Sequence, residues 1–101
     1  MINVLSTCIV IIGKKSDFEN AFKEVVAVHE KHGAKLVGFW WALGSEGNEA
    51  VWIFSWKNLE AFEKGREAVW QDREFPTDKF ASTAISYTEK ILVPSPLYTT
   101  R

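Results

Sequence analysis

Between Gly38 and Trp56 the chain reads GFWWALGSEGNEAVWIFSW, and Trp40, Trp41, Trp52 and Trp56, four of its five tryptophans, fall in that stretch. The turn formers Gly44-Ser45-Glu46-Gly47-Asn48 divide it, so strands from about Lys35 to Leu43 and from about Glu49 to Trp56 are expected to pair as a hairpin. With the turn centred on Glu46-Gly47, Trp41 faces Trp52, Phe39 faces Phe54 and Val37 faces Trp56. Side chains alternate across a strand, so the opposite face carries Leu36, Gly38, Trp40, Ala42, Val51, Ile53 and Ser55. Both faces are apolar, yet helices stacked on one side of a sheet cover only one of them. The smaller, aliphatic face is expected to lie under the helices. Phe39, Trp41, Trp52, Phe54 and Trp56 would then form a patch larger than a lone protein usually shows to water. That aromatic face is expected to meet a second subunit, to enclose an apolar ligand, or both.

The rest of the chain supplies the layers this hairpin needs. Residues 2 to 12 are rich in Ile, Val, Leu and Thr and stop at Gly13-Lys14-Lys15, which reads as a first strand and a turn. Ser16 and Glu19 have capping-box spacing, and Phe18, Phe22, Val25, Val26 and His29 then recur on one helical face until His32-Gly33. Asn58 is placed to cap a second helix in which Leu59, Phe62, Arg66 and Val69 share a face, ending near Asp72 ahead of Pro76. Ala84 to Val93 reads as a last strand, closed by Pro94 and Pro96. Strand, helix, strand, twice over, predicts an α+β ferredoxin-like βαββαβ sandwich: four antiparallel strands with both helices on one face.

Composition bounds the function. A chain of 101 residues, 47% hydrophobic and 25% charged, is that of one globular domain, residues 1–101. So short a chain leaves much surface outside its own core, which favours a homodimer. Twelve basic against 13 acidic residues leave no electrostatic footprint for nucleic acid or an anionic membrane. The single Cys8 rules out an intrachain disulfide framework and fits a reducing, cytoplasmic location. In MINVLSTCIVII the LSTC segment resembles a lipoprotein cleavage box, but seven residues before Cys8 are too few for a secretory signal, so a strand is expected. No apolar run approaches the roughly 20 residues that span a bilayer.

From Lys35 onward the sequence resembles the NIPSNAP family. The resemblance rests on His32-Gly33-Ala34-Lys35-Leu36-Val37-Gly38-Phe39-Trp40, Gly44 with Asn48-Glu49, Asn58-Leu59, Arg66, Asp72 with Glu74-Phe75, and Ile91-Leu92-Val93-Pro94. It implies a dimeric α+β barrel, in which two ferredoxin-like sheets close around an internal cavity. The family carries no single established reaction and is linked mostly to interaction roles, in eukaryotes often around mitochondria and vesicles. Its wider structural relatives include small oxygenases, isomerases and dehalogenating enzymes that handle aromatic compounds. Fold alone does not transfer such an activity. The sequence also departs from the family pattern: Trp52, Phe54 and Trp56 stand where His-x-Trp-x-Tyr is usual, Phe62 replaces a common Arg, and strand one lacks an Arg and Tyr two residues apart. These losses imply a more apolar cavity.

The expected substrate-binding residues are therefore Phe39, Trp41, Trp52, Phe54 and Trp56 as an aromatic wall, with Arg66 and Tyr87 as polar groups. Arg66, at core-facing spacing with Phe62 and Val69, is expected to snorkel at the rim, the alternative being a carboxylate partner. Tyr87, between Ser86 and Thr88, offers a hydroxyl or merely builds the strand. No catalytic residue is assigned and no cofactor is expected. His29 and His32 have i, i+3 spacing but no third ligand nearby, so they read as cations at a helix C-terminus and no metal is expected. Asp72, Arg73 and Glu74 read as solvated charges, and Cys8 as an inert small hydrophobe. An RNA-stacking surface is excluded by the slight acidity and by the missing basic-Gly-aromatic opening before Trp52. Two functions stay open, a barrel that binds or transforms a small apolar or aromatic molecule, and a noncatalytic interaction module whose aromatic face serves only dimerisation.

Overall fold

The computed structural model describes residues 1–44 and 48–98, so the expected turn centre at Glu46-Gly47 lies outside the described residues. The elements are β1 (Ile2–Val10), α1 (Lys15–Lys31), β2 (Lys35–Ala42), β3 (Glu49–Trp56), α2 (Leu59–Gln71), α3 (Thr77–Ala81) and β4 (Ala84–Leu92). The strands form one antiparallel sheet in the order β2-β3-β1-β4. This is the ferredoxin-like βαββαβ arrangement, with α3 added. Among the described residues no helix is long and apolar enough to cross a membrane.

The helix ends show why these elements start and stop. The Asn58 side chain accepts a hydrogen bond from the Ala61 amide at 2.8 Å, satisfying one orphan donor of α2. Gly33 takes φ +105° just after α1, a conformation that a side chain resists. Ser16 does not cap α1, contrary to the expected capping box. The helix has already begun at Lys15, and the Phe18 amide bonds the Lys14 carbonyl at 2.8 Å. The short α3 was not expected from the sequence; it follows Pro76, whose carbonyl accepts the Phe80 amide at 2.9 Å.

The helices lie on the aromatic face of the sheet, which reverses the expected assignment. Phe39, Trp41, Trp52, Phe54 and Trp56 do share one face, but α1, α2 and α3 cover it with rings of their own. Phe18 is fully buried and meets Phe22, Phe39, Trp41, Trp52 and Phe80 at centroid separations of 5.3 to 6.1 Å. Phe22 packs on Phe39 and Trp52, and Phe62 meets the Trp56 ring edge-on. Large rings on both layers gain most when buried against each other, with extra stabilisation from offset and edge-to-face geometry. In β1 the same face carries buried Val4, Ser6, Cys8 and Val10, while Leu5, Thr7 and Ile9 are half-buried on the other. The uncovered face is thus the aliphatic one. An aromatic face devoted solely to dimerisation is contradicted, because the chain's own helices occupy it.

From Gly38 to Ala42 the hairpin register differs from the expected one by two residues, which preserves the faces there. Phe39 pairs with Trp52 and Trp41 with Ala50, and a bulge between Leu36 and Gly38 then sets Leu36 against Phe54. This moves Leu36 from the expected aliphatic face to the face under the helices, where it packs on the core. Val37 falls in the bulge and is exposed instead of facing Trp56.

On α2 the buried positions are Phe62, Gly65 and Val69, while Leu59, expected on that face, is half exposed. Gly65 sets how closely α2 approaches the sheet. A Cβ there would fall on the Trp56 ring and lie 2.9 Å from the His32 carbonyl oxygen. Gly65→Ala tests this, since helix propensity alone favours Ala by about 1 kcal/mol while overpacking costs about 1–3 kcal/mol. The expected outcome in thermal denaturation is net destabilisation with an altered near-UV signal from Trp56; a raised melting temperature would contradict the close packing.

Candidate functional site

A cavity of about 220 Å³ opens between the helices and the sheet. Its floor comes from Val4 and Ser6 of β1, Trp52, Phe54 and Trp56 of β3, and Tyr87 and Glu89 of β4. Its roof comes from Val25 and His29 of α1, from Phe62, Arg66 and Trp70 of α2, and from Phe75 and Phe80. Helical spacing explains the α2 contribution, since residues 62, 66 and 70 lie four apart and stack on one face.

Arg66 occupies the middle of that stripe. Its guanidinium lies 5.3 Å from the Phe62 ring centre and 4.7 Å from that of Trp70, and it ion-pairs with Glu89. The expectation that Arg66 only snorkels is corrected by this pair. An Arg on the core-facing side of a helix is stabilised by an inward carboxylate, and β4 supplies one directly beside Ser6. The other Glu89 oxygen accepts a hydrogen bond from the Tyr87 hydroxyl at 2.9 Å, leaving Ser6 as donor to the Tyr87 oxygen at 3.3 Å. Desolvation, the largest cause, together with the nearby Glu89 charge, pushes the Tyr87 phenol up to about 12. Tyr87 is thus a neutral member of the chain Ser6, Tyr87, Glu89, Arg66.

His29 enters the cavity wall from the last turn of α1. Its ring stacks on Phe54 with centres 4.1 Å apart and planes 3° from parallel. Its Nδ1 lies 2.8 Å from the Val25 carbonyl oxygen, which can only accept, so Nδ1 carries the proton and Nε2 keeps a lone pair. Burial holds His29 below its ordinary pKa, opposed by the Val25 hydrogen bond and assisted by the charges of Arg66 and His32. The reading of His29 as a cation held by the helix dipole is therefore corrected, because desolvation wins over the C-terminal field. His32 has a different partner: its Nε2 lies 2.7 Å from Asp72 Oδ2.

Asp72 is not the solvated charge that its sequence neighbours suggest. Its side chain is 7% exposed and also receives Lys31 at 2.9 Å and the Glu74 amide at 2.8 Å. The hydrogen bond from Lys31, then those from the Glu74 amide and His32, hold its carboxyl well below the usual range. The cluster ties the end of α1 to the segment after α2. Cys8 is buried, and burial reinforced by the Glu49 charge pushes its thiol up to about 12, which makes it an inert hydrophobe.

Of the residues that the sequence nominated, Trp52, Phe54, Trp56, Arg66 and Tyr87 come together in the wall. Phe39 and Trp41 do not. Phe39 is packed between Phe22 and Trp52, and Trp41 is drawn to the start of α1, donating to Glu19 at 2.7 Å with Lys15 over its ring. His29, Phe62, Trp70, Phe80 and Glu89 were missed as lining residues. The spacing of Phe62, Arg66 and Trp70 was the available signal.

The sequence matches the family described as NIPSNAP over residues 10–97. The chain belongs to the NIPSNAP family. Among solved structures it is similar to an uncharacterised NIPSNAP domain protein from Burkholderia xenovorans, at 19% identity and TM-score 0.84, covering 98% of this chain and 99% of that one. A NIPSNAP family protein with unknown function from Agrobacterium tumefaciens aligns at 21% identity and TM-score 0.81, covering 96% and 93%. SnoaB, a cofactor-independent oxygenase from Streptomyces nogalater, shares the fold at 14% identity and TM-score 0.67, covering 93% and 92%. Functionally curated proteins yield no match. Within this NIPSNAP chain, Trp52, Phe54, Trp56 and Phe62 all line this cavity.

The His29 environment fixes a sign for stability against pH. A base whose folded pKa lies below its unfolded value of 6.5 costs nothing above that value, and destabilises the fold as pH drops through it, where the unfolded chain binds the proton first. Between pH 7 and 5 the wild-type melting temperature should fall more than that of His29→Phe, which keeps the stack on Phe54. Parallel curves in differential scanning calorimetry would contradict the depressed pKa.

Proposed function

We propose that this NIPSNAP protein binds a small, flat aromatic molecule in the cavity between its helices and sheet. The observation that carries this reading is the wall itself: Trp52, Phe54, Trp56, Phe62, Trp70, Phe75 and Phe80 surround a space of about 220 Å³. A cavity of roughly 150 Å³ with an apolar lining accepts benzene, so this one suits a substituted single ring. Aromatic walls stack flat ligands, and a few polar groups fix their orientation. SnoaB offers a precedent for chemistry without a cofactor on the same fold. Any transformation here would likewise draw on side chains, His29 and the Arg66–Glu89–Tyr87 chain being the groups at hand.

The partner of the open sheet face is, in this proposal, a second copy of the chain. Leu5 sits directly opposite Ile53, Val51 lies beside it on the same face, and Trp40 is half exposed above Gly38. This aliphatic strip replaces the aromatic face as the seam of a homodimeric barrel. The unpaired, buried Cys8 accords with a cytoplasmic location.

Two measurements test the proposal. Trp52 is too central for the purpose, as truncating it would cost about 3–5 kcal/mol of a total stability of about 5–15 kcal/mol. Trp70 lines the cavity while 61% exposed, so Trp70→Ala should leave the melting temperature nearly unchanged and weaken binding of single-ring aromatics by about fivefold to tenfold in calorimetric titration. Uptake of no aromatic by the wild type would contradict the reading. In sedimentation velocity the wild type should run as a dimer and Ile53→Glu as a folded monomer, since the introduced carboxylate would be buried unpaired at the seam. A wild-type monomer would overturn the dimer.

A further inference from the structure

Among the described residues, the side-chain acceptors of the cavity wall are Ser6, Tyr87, Glu89 and His29, and His29 holds the one ring nitrogen with no donor, while the indole N–H groups of Trp52, Trp56 and Trp70 are donors. Each Glu89 oxygen already has a partner inside the wall, Arg66 for one and the Tyr87 hydroxyl for the other, and the Tyr87 oxygen has Ser6. Nδ1 of His29 is committed to the Val25 carbonyl. Among the described residues no group engages Nε2 of the same ring. A ligand that fills the cavity without offering a donor would strip water from that nitrogen and return nothing, which is the costly side of hydrogen-bond exchange. The charges also balance, because Arg66 is matched by Glu89 and Tyr87 keeps its proton.

From these two accounts we infer that the ligand is a neutral aromatic bearing one hydrogen-bond donor, an O–H or N–H of the phenol or aromatic amine class, received by Nε2 of His29. The inference rests on the aromatic-binding reading above and names its substrate class. The stack of His29 on Phe54 and the anchor at Val25 fix the ring on two sides, so the acceptor is set before the ligand arrives. An anionic ring, such as an aromatic carboxylate, would find Arg66 already paired and Glu89 nearby. The requirement is for a donor rather than for charge.

The test uses 4-methylphenol, 1,4-dimethylbenzene and 4-methylbenzoate, titrated calorimetrically into the full chain and into His29→Phe at neutral pH. A hydroxyl and a methyl have nearly the same shape, and the ratio between wild type and variant cancels their different hydration. The expected result is that the phenol's advantage over the hydrocarbon is about tenfold larger in the wild type than in the variant, with hydrocarbon binding little changed. Hydrocarbon binding by the variant also reports that it folds, and His29→Leu replaces it if it does not. Equal ratios in both proteins would overturn the role of Nε2 while leaving the aromatic-binding reading intact. Tighter binding of the benzoate than of the phenol would overturn the neutral class. Failure of all three to bind the wild type would overturn the reading itself and this inference with it.

Discussion

The structure depends on a two-layer contact between aromatic rings. Phe18 and Phe22 of α1, Phe62 of α2 and Phe80 of α3 press on Phe39, Trp41, Trp52, Phe54 and Trp56 of the sheet. Rings of this size bury much apolar area but do not fill space like branched aliphatics. Around the start of α1 they close, and Phe18 reaches zero exposure. Around α2 closure is partial. Gly65 lets that helix settle on Trp56, while the stripe Phe62, Arg66, Trp70 spans the remaining gap instead of filling it. The cavity is a consequence of where the small residue and the large ones fall along α2.

The polar groups follow the same logic. Arg66 faces inward because of its helical position, and it tolerates that position because Glu89 projects from the same sheet face as Ser6 and Trp52. The pair neutralises itself, Tyr87 hydrogen-bonds the carboxylate, and the wall becomes a nearly uncharged surface in which His29 Nε2 has no partner among the described residues. Asp72 acts at a distance from this chemistry. By holding Lys31 and His32 at the end of α1, it fixes the helix turn from which His29 projects. Dimer formation, as proposed, would use the opposite side of the sheet and leave the cavity accessible.

Element order, the hairpin, the Asn58 cap and the Gly33 stop were legible because each is local chemistry with a short spacing. The faces were harder. Both sides of the hairpin are apolar, so periodicity marked two sets of residues without ranking them, and the smaller set was assigned to the helices. What decides the matter is complementarity with residues far away in sequence. The helices bring Phe18, Phe22 and Phe62, and rings bury best against rings. The charge pattern held the clue, since Arg66 at core spacing calls for an inward carboxylate, and Glu89 lies on the same face of β4 as Tyr87. His29 was misjudged for a related reason: its helix-end position suggested a cation, while its burial against Phe54 exists only in the folded chain.

The five tryptophans allow one direct measurement of the central claim, that the space between helices and sheet is the binding site. Each indole N–H gives its own signal in a nitrogen–proton correlation spectrum, and the rings divide by location. Trp52, Trp56 and Trp70 line the cavity, Trp41 is held by Glu19, and Trp40 lies on the open face. Titration with 4-methylphenol should shift the Trp52, Trp56 and Trp70 signals together and leave Trp40 in place. Movement confined to Trp40 would put the binding surface on the open face of the sheet and contradict the account.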